Sequence, residues 1–184
     1  MRVWDCVGEG ITKGEYSIVN GRINDLAWDG DSQRIIAVGD GKQRYGHCIT
    51  WDSGNTVGEI HGHTQQLNTV SIRQQRPLRA ATAGDDKKTV FYHGPPFKFN
   101  NGIADKHSNY IYGVAFSPDG SHLVSVGADR KIWLYDGKTG ETKGQIGEGE
   151  HTGSIFSVCW AKDSRKFVTA SADRTVRIWD VEAG

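Results

Sequence analysis

The sequence contains little cysteine and little proline. Its 184 residues include three cysteines and four prolines, against 24 glycines. Cys6, Cys48 and Cys159 lie far apart and form no CxxC pair, which argues against a disulfide framework and against a thiolate zinc site. We therefore expect three reduced cysteines, and we place Cys159 in the core because it lies in an apolar segment.

A net charge and long apolar segments are also absent. The 22 basic residues balance 22 acidic residues, so no overall field would attract nucleic acid or an anionic membrane. No apolar run approaches the roughly 18 to 20 residues that cross a bilayer, and the N-terminal sequence MRVWDCVGEG lacks the apolar centre of a secretory signal. We therefore expect a cytosolic protein that binds neither nucleic acid nor a membrane.

Motifs for metals and phosphates are weak. His47, His61 and His63 are close in the sequence, but a metal site needs three or four convergent ligands, and no carboxylate or thiol partner is evident. The segment GDGKQRYG has the glycines of a phosphate-binding loop but lies in no strand-to-helix context. The sequence thus predicts no metal and no cofactor.

The chain does contain an internal repeat. Trp28, Ile72, Phe116 and Trp160 follow one another at intervals of 44 residues. A second series of residue pairs is spaced by 47, 41, 43 and 44 residues: Trp4-Asp5, Trp51-Asp52, Tyr92-His93, Tyr135-Asp136 and Trp179-Asp180. A period of this length indicates a repeat protein whose units each form one supersecondary element.

Each unit has the pattern of short β-strands. Segments such as HLVSVG, KFVTAS and TVRIWD have a period of two and are rich in β-branched and aromatic residues, while SPDG, AKDS and GADR supply turns. A unit of about 44 residues with four strands and a closing Trp-Asp pair resembles the WD repeat. The resemblance implies an all-β fold, a WD-repeat β-propeller with about four blades per chain. We divide the chain into a leading strand at residues 1–5 and units at about 6–52, 53–93, 94–136 and 137–180.

Three of the units repeat the same four polar positions. Each set resembles the hydrogen-bonded tetrad of WD repeats, and the three sets are His63, Thr82, Asp86 and Tyr92; His107, Ser125, Asp129 and Tyr135; and His151, Thr169, Asp173 and Trp179. A catalytic nucleophile, base and acid are needed once per active site, so a set that occurs three times in register indicates architecture rather than an enzyme. The first unit has Val19, Ala37 and Gly41 at the corresponding offsets and retains only Trp51. We expect that blade to depend on packing alone.

The number of strands predicts an incomplete ring. The chain supplies a third and a fourth strand, three full blades, and then a first, a second and a third strand. WD propellers usually close with seven blades, so one interpretation is a fragment of a longer protein. Another is a homodimer with an eight-bladed ring, in which residues 11–19 of each chain complete the last blade of the other.

A more specific signal lies in the blocks WDSGNTVGEIHGH, RPLRAATAGDD and TVFYHGPPFKF, which are followed by Tyr110 and SPDG. Together they resemble the actin-interacting WD-repeat proteins, and the resemblance extends over essentially the whole chain. It implies part of the first of the two propellers in that family, with actin and cofilin as partners. It also implies a role in actin filament disassembly at the cytoplasmic actin cytoskeleton.

By the same resemblance, the actin- and cofilin-binding surface would include Gln43, Asp85, Phe99 and Tyr110. The residues themselves leave alternatives open. The prolines of GPPFKF stiffen the chain, and Phe97 and Phe99 alternate, so one ring can face outward as an interface anchor or both can fill the core. Because the neighbouring Asp86 is the tetrad acid, Asp85 is free to point outward, whereas Gln43 fits a solvated loop equally well.

Two binding functions and one catalytic function compete. The first is a non-catalytic module for actin and cofilin, and the second is a generic WD-repeat scaffold for another protein, such as a peptide bound at the narrow end of the ring. Hydrolysis by His, Thr and Asp is disfavoured because the set is repeated three times.

Overall fold

The computed structural model describes residues 1–183, which form seventeen β-strands. Within that range there is no helix with the length and apolar character needed to cross a membrane. The strands are β1 Arg2–Trp4, β2 Thr12–Glu15, β3 Ile23–Trp28, β4 Arg34–Gly39, β5 Gly46–Thr50, β6 Thr56–Glu59, β7 Leu67–Ile72, β8 Arg79–Gly84, β9 Thr89–His93, β10 Lys98–Ile103, β11 Ile111–Phe116, β12 His122–Gly127, β13 Ile132–Asp136, β14 Thr142–Ile146, β15 Ile155–Trp160, β16 Lys166–Ser171 and β17 Val176–Asp180.

The strands form five antiparallel sheets in chain order. A two-stranded sheet, β1–β2, is followed by three four-stranded sheets, β3–β6, β7–β10 and β11–β14, and by a three-stranded sheet, β15–β17. Consecutive strands pair within each sheet, so every sheet is a simple meander. This arrangement is a partial β-propeller, and it confirms the predicted all-β fold.

The core consists of three apolar clusters, each between two successive sheets. The first joins the β3–β6 sheet to the β7–β10 sheet and contains Ile36 and Tyr92. The second includes Phe91 and Phe116, whose ring centroids are 6.1 Å apart, and the third packs Phe167 against the β11–β14 sheet. Because burial of one such side chain contributes about 1.5–3 kcal/mol, each sheet depends on its neighbours for stability.

The register of the first four-stranded sheet corrects one sequence assignment. In the other sheets the closing aromatic residue lies on the third strand, as where Tyr135 pairs with Leu123. The corresponding position in the first sheet is Ile49, which pairs with Ile35. Trp51 lies two residues further on, in a turn beside Trp28 at a centroid distance of 6.5 Å. The assignment of Trp51 to the tetrad position was therefore wrong. The turn between β4 and β5 is two residues longer than that between β8 and β9, which brings Ile49 to this position, and Trp51 lies beyond the end of β5.

The expectation that Cys159 lies in the core was also wrong. Cys159 is exposed, as is Cys6, whereas Cys48 is buried. Cys159 lies on the face of the last sheet that no further sheet covers in the described residues, which is why an apolar segment reaches solvent there. Burial in the first cluster raises the pKa of the Cys48 thiol to about 12, so this thiol stays protonated and unreactive.

A buried arginine joins two sheets at the end of the blades away from the tetrads. Arg73 is almost fully buried. Its Nε donates to the carbonyl of Gly120 at 2.7 Å, and its Nη1 donates to the carbonyls of Gln75 at 2.7 Å and Pro77 at 3.0 Å. Gly120 has a φ of +72°, and a Cβ on it would lie 2.6 Å from Arg73 Nε. Arg73 therefore holds its own loop against the turn between β11 and β12.

We expect Arg73→Met to lower the free energy of unfolding by about 2–3 kcal/mol, because three carbonyls lose a charged donor in a buried site. Arg76→Met is the matched control. Its guanidinium is exposed and bonds Asp31 at 2.6 Å, so its loss should cost less than about 1 kcal/mol. Urea unfolding measures both values, and equal costs would show that burial of Arg73 contributes nothing.

Candidate functional site

The last sheet contains a buried chain of hydrogen bonds from an indole to a carboxylate. Trp179 Nε1 donates to Thr169 Oγ1 at 2.8 Å, and His151 Nε2 lies 2.8 Å from the same oxygen. His151 Nδ1 lies 2.7 Å from Asp173 Oδ2. Because an ionised carboxylate can only accept, His151 Nδ1–H donates to Asp173. In this tautomer Nε2 accepts the hydroxyl proton of Thr169, whose oxygen accepts from the indole.

The other two sets share this geometry, with a phenol in place of the indole. In one, His107 Nε2 is 2.7 Å from Ser125 Oγ, which is 3.0 Å from the Tyr135 hydroxyl. In the other, the Tyr92 hydroxyl lies 3.1 Å from Thr82 Oγ1 and also donates to the carbonyl of His61 at 2.7 Å. Burial raises the pKa of Tyr135 to about 12 and raises that of Tyr92 as well, so both phenols stay neutral donors.

Each of the three aspartates joins a loop and a turn of its own blade by hydrogen bonds. Each accepts a backbone N–H from the residue after the histidine and another from the residue two positions after itself. For Asp86 these donors are Thr64 at 3.0 Å and Lys88 at 3.2 Å, and His63 Nδ1 lies 2.9 Å away. Lys87, between Asp86 and Lys88, has a φ of 64°, an uncommon conformation that the tight turn requires.

The pKa of Asp86 reflects two opposing effects. Desolvation by burial alone would raise it, but the hydrogen bond and charge of His63 and the backbone N–H groups outweigh burial and lower it. The pKa of Asp129 is lowered for the same reasons. The pKa of Asp173 is lowered as well, first by the Thr175 hydroxyl and then by His151. All three carboxylates are therefore charged in the folded protein at neutral pH.

The tetrad hydroxyls are inaccessible to a substrate. Thr82, Ser125 and Thr169 are at most 1% exposed, so a molecule outside the protein cannot reach them. The first sheet has no such chain, because Ala37 stands where the other sheets have the hydroxyl and Ile49 where they have the aromatic donor. The tetrads therefore act chemically as internal cross-links between strands and loops.

The histidines considered as metal ligands are used in other ways. His47 Nε2 lies 2.9 Å from Thr56 Oγ1, and His61 Nε2 lies 3.4 Å from Glu59, whereas His63 belongs to a tetrad. Burial lowers the pKa of His47, which favours its neutral form. In residues 1–183 no group of three or more histidine, cysteine, aspartate or glutamate side chains could hold a metal ion.

The two phenylalanines of GPPFKF face opposite directions. Phe97 is 1% exposed and belongs to the first core cluster, while Phe99 is 49% exposed. Phe99 lies on strand β10 opposite Tyr92 rather than on a loop. Its ring is so close to Gly62 that a Cβ there would lie 2.7 Å from Phe99 Cε2. The exposed ring of Phe99 therefore packs on one side against Gly62.

Asp85 is not free, in contrast to the expectation from the sequence. Gln66 Nε2 donates to Asp85 Oδ2 at 2.6 Å, and Asn68 Nδ2 donates to Oδ1 at 2.8 Å. Asn68 Nδ2 also lies 3.0 Å from the carbonyl of Ile111, the residue after the exposed Tyr110. Sequence reasoning missed Gln66 and Asn68 as positioning residues, although Asn68 follows Asn24 by one 44-residue period.

Gln43 is exposed in the turn between β4 and β5. It borders a cavity of about 400 Å³ that Ser17, Ile18, Val19, Asn20 and Arg44 also line, and a second cavity that reaches Gly62 and His63. The four residues assigned by resemblance therefore lie on turns, a connection and an outer strand. Other residues lie between them. Gly62 lies between the second cavity and Phe99, and Asn68 lies between Asp85 and Ile111.

Comparison with known protein families identifies the class of protein to which this chain belongs. The family model described as "WD domain, G-beta repeat" matches residues 102–136 and 145–180. The first matched segment contains the tetrad of His107, and the second contains the tetrad of His151. These WD repeats lie in successive antiparallel sheets of a partial propeller, so the chain is a WD-repeat β-propeller protein, a class of scaffold that binds other proteins.

Particular relatives cover most of the chain. A WD repeat-containing protein of Schizosaccharomyces pombe is 54% identical over 77% of this chain and 24% of its own length. WD repeat-containing protein 1 is 49% identical over 80% in Xenopus tropicalis and 46% identical over 80% in Mus musculus, again over 24% of each relative. The chain is a homologue of WD repeat-containing protein 1, which confirms the family resemblance found from the sequence. It spans about a quarter of the length of these relatives.

We expect Asp86→Asn to lower the free energy of unfolding by about 2 kcal/mol at neutral pH, because the buried carboxylate accepts from His63 and from two backbone N–H groups. The pKa of Asp86 is lowered in the folded state, so its contribution is present above about pH 4 and is lost as pH falls through the folded pKa. The stability difference between parent and variant should therefore shrink below about pH 4. Urea unfolding at several pH values measures it, with the exposed Asp163→Asn as control, and a pH-independent difference would contradict this account.

Proposed function

We propose that this chain is a non-catalytic binding module from an actin-interacting WD-repeat protein, which contacts actin and cofilin and promotes filament disassembly at the cytoplasmic actin cytoskeleton. The observation that carries the proposal is Phe99, a large aromatic ring that is half exposed and held in place on a strand. It occurs within the block that most closely resembles this family. The residues proposed for the surface are Gln43, Asp85, Phe99 and Tyr110.

Phe99 has the properties of an interface anchor. A ring already fixed by its strand and by Gly62 loses little conformational freedom when a partner covers it. Aromatic residues that become buried at the centre of an interface contribute most of the binding energy. Phe99 is therefore the residue whose removal should weaken binding most.

Asp85 and Tyr110 support the proposal through their fixed geometry. Gln66 and Asn68 hold both oxygens of Asp85, so the carboxylate offers its remaining lone pairs in one orientation. Tyr110 is exposed, and its backbone carbonyl accepts from the N–H of Ala128 at 2.8 Å. A preorganised charge and a fixed aromatic residue favour specific over adventitious contact.

A generic scaffold for another protein is the alternative. The cavity of about 400 Å³ beside Gln43 is large enough for a side chain of a bound peptide. In that case variants at Phe99 would leave binding unchanged, whereas substitutions around the cavity would weaken it.

We expect the chain to cosediment with cofilin-decorated actin filaments and Phe99→Ala to weaken this binding about thirtyfold, because loss of a buried aromatic anchor costs about 2 kcal/mol. Asp85→Ala should weaken binding by a smaller factor, since it removes one charge and releases Gln66 and Asn68. Val7→Ala is the control, because Val7 is 86% exposed and lies outside this surface.

Circular dichroism checks that each variant remains folded. Equal pelleting of the parent, Phe99→Ala and Asp85→Ala would contradict the assigned residues. A parent chain that stays in the supernatant with decorated filaments would contradict binding by this module.

A further inference from the structure

The turn between the second and third strands begins with the same backbone hydrogen bond in each of the last four sheets. The N–H of the first turn residue donates to the carbonyl of the residue just before the first strand of the sheet, at 2.8–3.1 Å. The turn residues are Asp40, Asp85, Ala128 and Ala172, and their partners are Arg22, Gln66, Tyr110 and Ser154. The four sites can therefore be compared position by position.

Two of these sites contain an acid, and its charge is compensated in only one of them. In the β3–β6 sheet, Arg22 Nε donates to Asp40 Oδ2 at 2.8 Å, and the backbone N–H of Arg22 donates to Oδ1. In the β7–β10 sheet, Asp85 accepts instead from the neutral amides of Gln66 and Asn68, and the described residues give it no ion pair. An amide orients a carboxylate but carries no charge that neutralises it.

We propose that Asp85 binds a basic side chain of the protein partner, an arginine or a lysine, and that Gln66 and Asn68 position the carboxylate for this contact. The inference rests on the proposed function, because it uses the same surface, and it adds the chemistry that the partner must supply. A carboxylate has about four lone-pair positions, of which the two amides occupy about half. The remaining positions fit the paired N–H groups of a guanidinium.

Asn68 also joins Asp85 to the next sheet. Its Nδ2 lies 2.8 Å from Asp85 Oδ1 and 3.0 Å from the carbonyl of Ile111, the first residue of β11. Asn24 has the same position in the preceding sheet and donates to the carbonyl of Leu67 at 2.8 Å, but within the described chain its amide bonds no acid. The bond to the next sheet is therefore common to both asparagines, whereas the bond to a carboxylate distinguishes Asn68.

This amide brings two of the proposed surface residues into one unit. Tyr110 directly precedes Ile111 and is exposed, and its carbonyl accepts from the backbone N–H of Ala128 at 2.8 Å. Asp85 in one sheet and Tyr110 at the start of the next are thus held to a shared donor and a shared backbone segment. A partner that places a cation on Asp85 would bring its adjacent residues to Tyr110.

The lysines that follow Asp85 in the sequence do not compensate its charge. Lys87 is exposed in the tight turn, where its φ is 64°. Lys88 donates its backbone N–H to Asp86 at 3.2 Å. Neither ammonium group forms an ion pair with an acid of residues 1–183. The negative charge of Asp85 is therefore left for a group outside the described chain.

The NMR signals of side-chain amides test the contact without actin. A tetra-arginine peptide should shift the signals of Gln66 and Asn68, whereas the signal of Asn24, whose amide contacts no acid in the described residues, should stay in place. A tetra-glutamate peptide should shift none of the three. Asp85→Asn should abolish the response, because the site keeps its size but loses its charge. Unmoved Gln66 and Asn68 signals, or an equal response in Asp85→Asn, would overturn the proposal.

Gln66→Arg should reproduce the pair that Arg22 forms with Asp40. This variant keeps Asp85 but compensates its charge from within the chain, so we expect binding to cofilin-decorated filaments to weaken about tenfold. Gln65→Arg is the matched control, because Gln65 is exposed and the variant adds the same charge one residue away. Its binding should stay within about twofold of the parent, as for an isolated surface charge.

The ionic strength separates a charge contact from a change of shape. Added salt should weaken binding of the parent more than binding of Gln66→Arg or Asp85→Asn, because salt screens the attraction that these variants have lost. Equal binding by Gln66→Arg and Gln65→Arg, or the same salt dependence in parent and variants, would contradict a cation on Asp85. A parent that responds to tetra-arginine but stays in the supernatant with decorated filaments would contradict the proposed function and support this inference.

Discussion

Face-to-face packing of successive sheets is the interaction on which the rest of this structure depends. Each four-stranded meander has two apolar faces, and a single sheet cannot bury both. The inner sheets solve this by packing on both neighbours, as Phe91 and Phe116 do across one contact. The first and last sheets cannot do so within residues 1–183. Stability in such an array is a sum over neighbouring contacts, so each inner sheet is stabilised from both sides.

The tetrads stabilise each blade in a second way, by fixing polar segments that packing cannot hold. A buried imidazole joins a strand hydroxyl to a carboxylate, and the carboxylate holds the loop after the histidine and the turn after itself. Turns and connections at that end of the blades are therefore kept in place. Asp85, next to the tetrad residue Asp86, is fixed as well. A rigid rim is what a scaffold needs to present side chains to a partner at low entropic cost.

Sequence reasoning succeeded wherever a feature repeats. The 44-residue period and the alternating strands predicted the all-β fold, and the offsets of His151, Thr169 and Asp173 identified side chains that the structure brings together. It failed where a blade departs from the repeat. In the first sheet Ile49 takes the position of the tetrad aromatic residue and Trp51 lies beyond the end of β5. Cys159 is exposed because the described chain has no sheet over that face. Neither fact is visible in local composition.

The sequence by itself determined the strands, their order and the chemistry of the tetrads, since all three depend on spacing within one unit. Only the tertiary structure decided which apolar residues are covered, that Phe97 is buried while Phe99 is exposed, and that Gln66 and Asn68 hold Asp85. The physical reason is that burial and hydrogen bonding at these sites come from other turns and other sheets. Sequence spacing specifies the neighbours along a strand, whereas the neighbours across a contact exist only after the sheets have packed.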